Sequence, residues 1–135
     1  MIGLDTNVLV RYLAQDDVKQ SAIATRLIEC ELTASHPGFI SLVVLVEVCW
    51  VLKRLYQASE SELVTTVDDF LHAAQFQVEQ RELVLTTTRK LAAAKHGSVG
   101  FADFLIVALA QAQGCSMTVS FDAGAVREAG MTLLS

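Results

Sequence analysis

The chain has 135 residues, 53% of them hydrophobic and 19% charged, with a formal net charge of −5; this excludes disordered and collagen-like classes and predicts one domain with a sizeable core. The acidic balance argues against a nucleic-acid binder that works by cationic attraction alone, because such proteins carry an excess of Lys and Arg. Cys30, Cys49 and Cys115 lie in apolar stretches without a C-x-x-C pair, which predicts buried thiols in a reducing compartment rather than a disulfide or zinc framework.

In chain order, Met1 to Leu4 reads as a short buried strand, and Asp5-Thr6-Asn7 starts a helix through about Leu13. The start lacks the basic and long apolar regions of a signal peptide, so the expectation is a soluble, cytoplasmic protein with no membrane partner. Asp16-Asp17 caps a second helix through about Leu32, with Ile23, Leu27 and Cys30 on one face. His36-Pro37-Gly38 is turn chemistry, and Phe39-Ile40-Ser41 a second strand. Leu42 to Tyr56 is a helix apolar almost all round, which predicts burial, Trp50 included.

Ser59-Glu60-Ser61-Glu62 is a capping-box start, followed by Leu63, Val67, Phe70, Leu71 and Ala74 at helical spacing. Phe76 to Glu79 reads as a third strand, Arg81 to Lys95 as a helix and His96 to Gly100 as a loop. Phe101 to Gln113 is a second buried helix. Ser116 to Phe121 is a strand, Asp122 caps a short helix to about Glu128, and Met131 to Leu134 is a last strand. Strands alternating with helices predict βαβ units and a mostly parallel sheet covered on both faces.

Within this pattern Asp5, Glu47, Asp103 and Asp122 stand alone in apolar surroundings, with no Lys or Arg within four positions. An unpaired carboxylate removed from water is costly, so a remote partner, a proton or a metal ion is expected. Asp5 and Asp122 fall at the carboxyl ends of strands, where open α/β sheets bind ligands, and Glu47 and Asp103 lie early in helices that can lean over the same edge. At an effective dielectric of ~20 and a separation of ~5 Å, each ionised pair repels by about 3 kcal/mol, so a cluster of four points to a hard divalent cation such as Mg²⁺ or Mn²⁺. Setting these acids aside leaves the rest of the chain almost neutral, and bound cations would turn the local field from repelling phosphate to attracting it.

Each acid also has a purely structural reading. Asp5 and Asp122 suit N-caps, Asp103 suits a helix start, and Glu47 suits a remote ion pair. His36, His72 and His96 sit in turn, amphipathic-helix and loop contexts, and read as surface residues. Lys53-Arg54 suits the negative end of a helix. Ser41 and Ser120 end strands near the acids and can orient a carboxylate or a water.

Taken together, Ile2-Gly3-Leu4-Asp5-Thr6-Asn7, Ser41 followed by Glu47, Phe101-Ala102-Asp103 and Ser120-Phe121-Asp122 resemble the motifs of PIN-domain ribonucleases, and within them the VapC-type toxins of type II toxin-antitoxin modules. The resemblance covers essentially the whole chain. It implies a single PIN domain over residues 1–135, a three-layer α/β/α fold with a central, mostly parallel sheet of four or five short strands. It further implies a Mg²⁺- or Mn²⁺-dependent endoribonuclease whose ion is held by Asp5, Glu47, Asp103 and Asp122, with Asn7, Ser41 and Ser120 as supporting polar positions. An RNA substrate, a small VapB-type antitoxin and a homodimer are the partners it implies. Serine at 120 replaces the more usual threonine, and Ala123-Gly124-Ala125-Val126 lacks the lysine or further acid often found there, which leaves one or two ions open. Two other readings share the clustered acids: a Mg²⁺-binding receiver-like signalling domain, and a catalytically silent binding module of the same fold. The receiver would need an acidic pair after its first strand and a lysine late in a strand, and neither is present.

Overall fold

A computed structural model describes residues 1–94 and 99–135. The chain divides into two compact units, Met1–Arg81 and Glu82–Ser135. In the first, β1 (Ile2–Gly3), β2 (Gly38–Ile40) and β3 (Phe76–Val78) form a parallel sheet in the order β1-β2-β3. Its ladder runs past the short strands, through Leu4 N to Phe39 O at 3.0 Å, Gly38 N to Gln75 O at 2.8 Å and Glu79 N to Ile40 O at 2.9 Å. Pro37 precedes β2, and its carbonyl accepts the Ile2 amide at 3.2 Å. Parallel strands require crossovers, supplied here by α1 (Thr6–Ala14) and α2 (Val18–Arg26) before β2, and by α3 (Leu42–Leu55) and α4 (Glu60–His72) after it.

The caps follow the local chemistry of the sequence. Asp17 accepts the Gln20 amide, Ser41 the Val44 amide, and Ser59 with Glu62 closes a full capping box. α2 widens into a π-helical turn over Leu27–Glu31, closed by Leu32 N to Leu27 O at 2.9 Å. The face expected from Ile23, Leu27 and Cys30 is not the buried one. Ser21, Ala24, Ile28 and Leu32 are buried instead, while Ile23 and Cys30 are exposed. The small residues Ser21 and Ala24 bring α2 close to α1, and the Ser21 hydroxyl donates to Arg11 O at 2.9 Å.

α3 differs from expectation in the same way: Leu45, Val48, Cys49 and Leu52 enter the core, but Val43, Glu47 and Trp50 are exposed. A helix apolar on all sides carries no information about which side meets the core. α4 buries Leu63, Val67, Phe70 and Leu71 as its spacing requires, and Phe70 meets Phe76 of β3 edge-on at 5.3 Å; Ala74 falls beyond the helix and is exposed.

The second unit holds α5 (Arg81–Ala93) from its second residue on, α6 (Phe101–Ala112), β4 (Val119–Ser120), α7 (Ala123–Glu128) and β5 (Thr132–Leu133). β4 and β5 pair in parallel, with Val119 opposite Thr132. Strands were expected at all five places, and they pair as three and two rather than as one sheet of four or five. Val84, Thr87, Thr88 and Leu91 of α5 are buried, as are Phe101, Phe104 and Leu105 of α6. Thr87 and Thr88 satisfy their hydroxyls within the helix by donating to Leu83 O and Val84 O. Expected as a buried helix, α6 nevertheless exposes Ile106. The end of the helix predicted through Lys95, and most of the loop predicted from His96, lie outside the described residues. Among the described residues no helix is long and apolar enough to cross a membrane.

Candidate active site

Several of the candidate residues stand at the carboxyl edge of the first sheet. Leu4 is buried beside Gly38, and the next residue, Asp5, emerges exposed at the N-cap position of α1 with extended backbone. Its carboxylate makes no cap hydrogen bond, so the local role that would explain it is not taken up. Thr6, the first residue of α1, is buried, and its hydroxyl donates to Oε1 of Glu47 on α3. α1 packs against α3, and this bond ties the start of one to the middle of the other.

Ser41 follows β2, and its hydroxyl oxygen accepts the Val44 amide at 3.2 Å, which makes it the cap of α3. Glu79 follows β3 at the same edge, and its Oε1 accepts the Leu42 amide at 2.8 Å. Thr6 and Glu79 are the two residues that sequence reasoning passed over. Glu79 carried the same signal as Asp5, an acid directly after a short apolar strand; Thr6 lay inside the quoted D-T-N motif. Asn7 is exposed and borders a groove of about 270 Å³ between α1 and α2, lined also by Val8, Arg11, Gln20, Ile23, Ala24 and Leu27.

In the second unit Asp103 is the third residue of α6, half-buried, and its Oδ2 accepts the Gly100 amide at 3.2 Å. Asp122 caps α7, with Oδ1 accepting the Gly124 amide at 2.9 Å. The Ser120 hydroxyl accepts the Asp122 amide at 3.0 Å, so Ser120 holds the backbone of the acid it was expected to support. Asp103 and Asp122 therefore do perform their structural roles, each with one oxygen.

Burial was expected around the four acids, and the structure corrects it. Asp5, Glu47 and Asp122 are exposed and Asp103 is half-buried: strand ends and helix starts reach the surface even when their flanks are apolar, and Glu47 lies on the side of α3 away from its buried residues. Glu47 takes a hydroxyl partner, and no ion pair to any of the four is present among the described residues. Cys30 and Cys115 are likewise exposed, and only Cys49 is buried. Burial, with Glu60 nearby, pushes the Cys49 thiol up to about 12.

The donor set suits a hard cation. All four are carboxylates, and the hydrogen bonds among the described residues occupy only Oε1 of Glu47, Oδ2 of Asp103 and Oδ1 of Asp122. Among the described residues each acid thus keeps an oxygen that takes no hydrogen bond. Three or more His, Cys, Asp or Glu side chains do not gather into a metal-holding group among the described residues; Asp5 and Glu47 belong to the first unit, Asp103 and Asp122 to the second.

Comparison with protein families matches residues 2–130 to the PIN domain. The chain belongs to the PIN-domain family. Its parallel strands and intervening helices are consistent with the PIN fold, and the match runs through the motifs that carry Asp5, Glu47, Asp103 and Asp122. PIN domains are in general nuclease domains, typically dependent on Mg²⁺, which supports a hydrolase. No curated protein matches the chain.

Proposed function

We propose that this PIN domain is a Mg²⁺- or Mn²⁺-dependent endoribonuclease, the VapC-type toxin of a type II toxin-antitoxin module, acting in the cytoplasm. Residues 1–135 work in this reading as one domain, since the family match extends across both compact units. The observation that carries it is the pairing of α1 with α3: Glu47 is held by Thr6, the neighbour of Asp5, and the Asp5 carboxylate is free of any cap bond.

Asp5, Glu47, Asp103 and Asp122 would hold the ion. A divalent cation, when bound, supplies Lewis-acid activation of water and neutralises charge at the scissile phosphate. The residues supply placement. Thr6 keeps one Glu47 oxygen engaged and leaves the other for the ion. Ser41 and Glu79 hold the amides at the start of α3 and so fix the height of Glu47 above the sheet edge. Ser120 and Gly124 hold Asp122 by its backbone and by one carboxylate oxygen. Attack by water on phosphorus with departure of the 3' oxygen would leave a 5'-phosphate and a 3'-hydroxyl, and it needs no protein nucleophile. The hydroxyl oxygens of Ser41 and Ser120 are already engaged by backbone amides, which suits support rather than attack.

The same reading assigns the groove between α1 and α2 to an apolar segment of a small VapB-type antitoxin, with the domain itself a homodimer. Ile23, exposed on α2, and the half-buried Leu27 just beyond it line the groove and favour that use.

Cleavage of an RNA pool is the test, run with Mg²⁺ or Mn²⁺, with EDTA, and with Asp5→Asn. Metal-dependent cleavage lost in the variant is expected. Cleavage that persists in EDTA and in Asp5→Asn overturns the reading, and metal binding without cleavage of any RNA points to the silent module. Co-purification of a small protein encoded beside this chain, together with a dimeric mass, tests the partners.

A further inference from the structure

The outer face of α3 carries an aromatic and a cation that the proposed chemistry does not use. Val43, Glu47, Trp50 and Arg54 recur at helical spacing on the side opposite the core residues Leu45, Val48, Cys49 and Leu52. Val43 is 78% and Trp50 58% exposed. The Arg54 guanidinium lies over the Trp50 ring, 5.6 Å from its centroid, and Arg54 forms no ion pair among the described residues. Lys53 beside it is held by Glu60 at 2.6 Å, so Arg54 is the cation available on this face.

An exposed indole offers a large flat apolar face, and its neighbours decide what can cover it. Glu47 and Arg54 interrupt the face with charge, which fits poorly with burial against the apolar surface of another chain. They suit a ligand with a flat π-face and an adjoining negative charge. A nucleotide has both. In a chain of net charge −5, attraction for RNA has to come from a local cation and from stacking, which is indifferent to net charge.

We propose that Trp50 and Arg54 form a subsite for one unpaired nucleotide of RNA, its base stacked on the indole and its phosphate taken by the guanidinium. Trp50 stands three residues beyond Glu47, just under one helical turn and about 4.5 Å along the axis, so the nucleotide read here adjoins the bond that is cut. That last step rests on the nuclease reading; stacking on Trp50 does not. Duplex RNA buries its base faces, so the subsite selects single-stranded or looped substrate.

Trp50 is the only tryptophan in the chain, so its fluorescence reports on this site alone. The full-length protein is titrated in EDTA with a short single-stranded oligoadenylate and with an RNA duplex, following tryptophan emission and the anisotropy of labelled RNA. Saturable quenching by the single strand is expected, with weaker or no quenching by the duplex. Trp50→Ala should weaken single-strand binding about 5- to 150-fold, Trp50→Phe should recover part of it, and Arg54→Gln should lower the salt slope by about one. Unchanged emission at saturating RNA overturns the proposal, as does wild-type affinity in Trp50→Ala. A dimer that dissociates in Trp50→Ala with RNA affinity intact also overturns it, and makes the face a contact between two copies. Quenching and lost affinity without cleavage under any metal would sink the nuclease reading while leaving this subsite. Metal-dependent cleavage lost in Asp5→Asn but undiminished in Trp50→Ala would do the reverse.

Discussion

The hydroxyl of Thr6 donates a hydrogen bond to the carboxylate of Glu47 across 41 residues of sequence. A buried hydroxyl on the first turn of α1 thereby decides where an exposed acid on α3 is held. Hydrogen bonds to charged groups contribute about 1.5–3 kcal/mol. Thr6→Val keeps the shape and removes the donor, so nuclease turnover should fall about 10- to 100-fold, and Thr6→Ser should restore most of it. Steady-state kinetics on a labelled RNA, with the urea midpoint of each variant, checks this; turnover unchanged in Thr6→Val would show that Glu47 needs no such tether.

Gly38, the first residue of β2, packs against Leu4, the residue before Asp5. A Cβ at this position would meet Leu4 Cδ1 at 2.6 Å and Leu32 Cδ1 at 2.8 Å, both on buried side chains. Gly38→Ala should therefore destabilise the fold by about 1–3 kcal/mol, the usual range for overpacking. Because Leu4 precedes Asp5, the variant should also lose activity at temperatures where it remains folded. Thermal melts and cleavage assays on one preparation separate the two effects.

Asp16 and Tyr56 tie the turn between α1 and α2 to the end of α3, the phenol donating to Asp16 Oδ2 at 2.5 Å. That bond, helped by Arg11, holds the Asp16 carboxyl below its usual 3.8. A carboxyl lowered on folding stabilises the fold above its unfolded value, and the contribution is lost as pH falls through the folded one. Tyr56 is raised above 10.0 by the same bond, so its contribution is present below that value and fades as pH climbs through the folded one. Melting temperatures of wild type and Tyr56→Phe should differ by a constant amount near neutrality and converge below about pH 4. A gap that widens on acidification would contradict the assignment.

The three cysteines should separate by reactivity. Cys49 is buried with its thiol raised to about 12, whereas Cys30 and Cys115 are exposed. A thiol reagent at about pH 8, close to the ordinary cysteine pKa, should label Cys30 and Cys115 in the folded protein and all three in urea. Mass spectrometry of peptides from the labelled chain identifies the sites, and rapid labelling of Cys49 under native conditions would show that the α3 core opens readily.

Much of this molecule was legible before folding was considered, and for a local reason. The caps at Asp17, Ser59 and Asp122 bond amides two or three residues away, so residue type and spacing alone located those helix starts, whereas Ser41, read as a strand end, proves to be a cap as well. The strands at the five expected places, the parallel pairing and the four acids with their motif order were also open to sequence reasoning. The PIN-family match agrees with that order.

Tertiary structure decided what depends on distant partners. Periodicity on α2 suggested Ile23, Leu27 and Cys30, yet the close approach of α1 selected Ser21, Ala24 and Ile28 for burial. On α3 apolar residues surround the axis, so only packing could separate Val48 from Trp50, one turned into the core and the other to solvent. Thr6 with Glu47, and Glu79 with the Leu42 amide, join residues 41 and 37 positions apart, and neither pairing has a local signature. Sequence specified where each acid stands along the chain; the fold chose the distant neighbours that hold Glu47 and Glu79, because side-chain partners across a parallel crossover are set by the packing of whole elements.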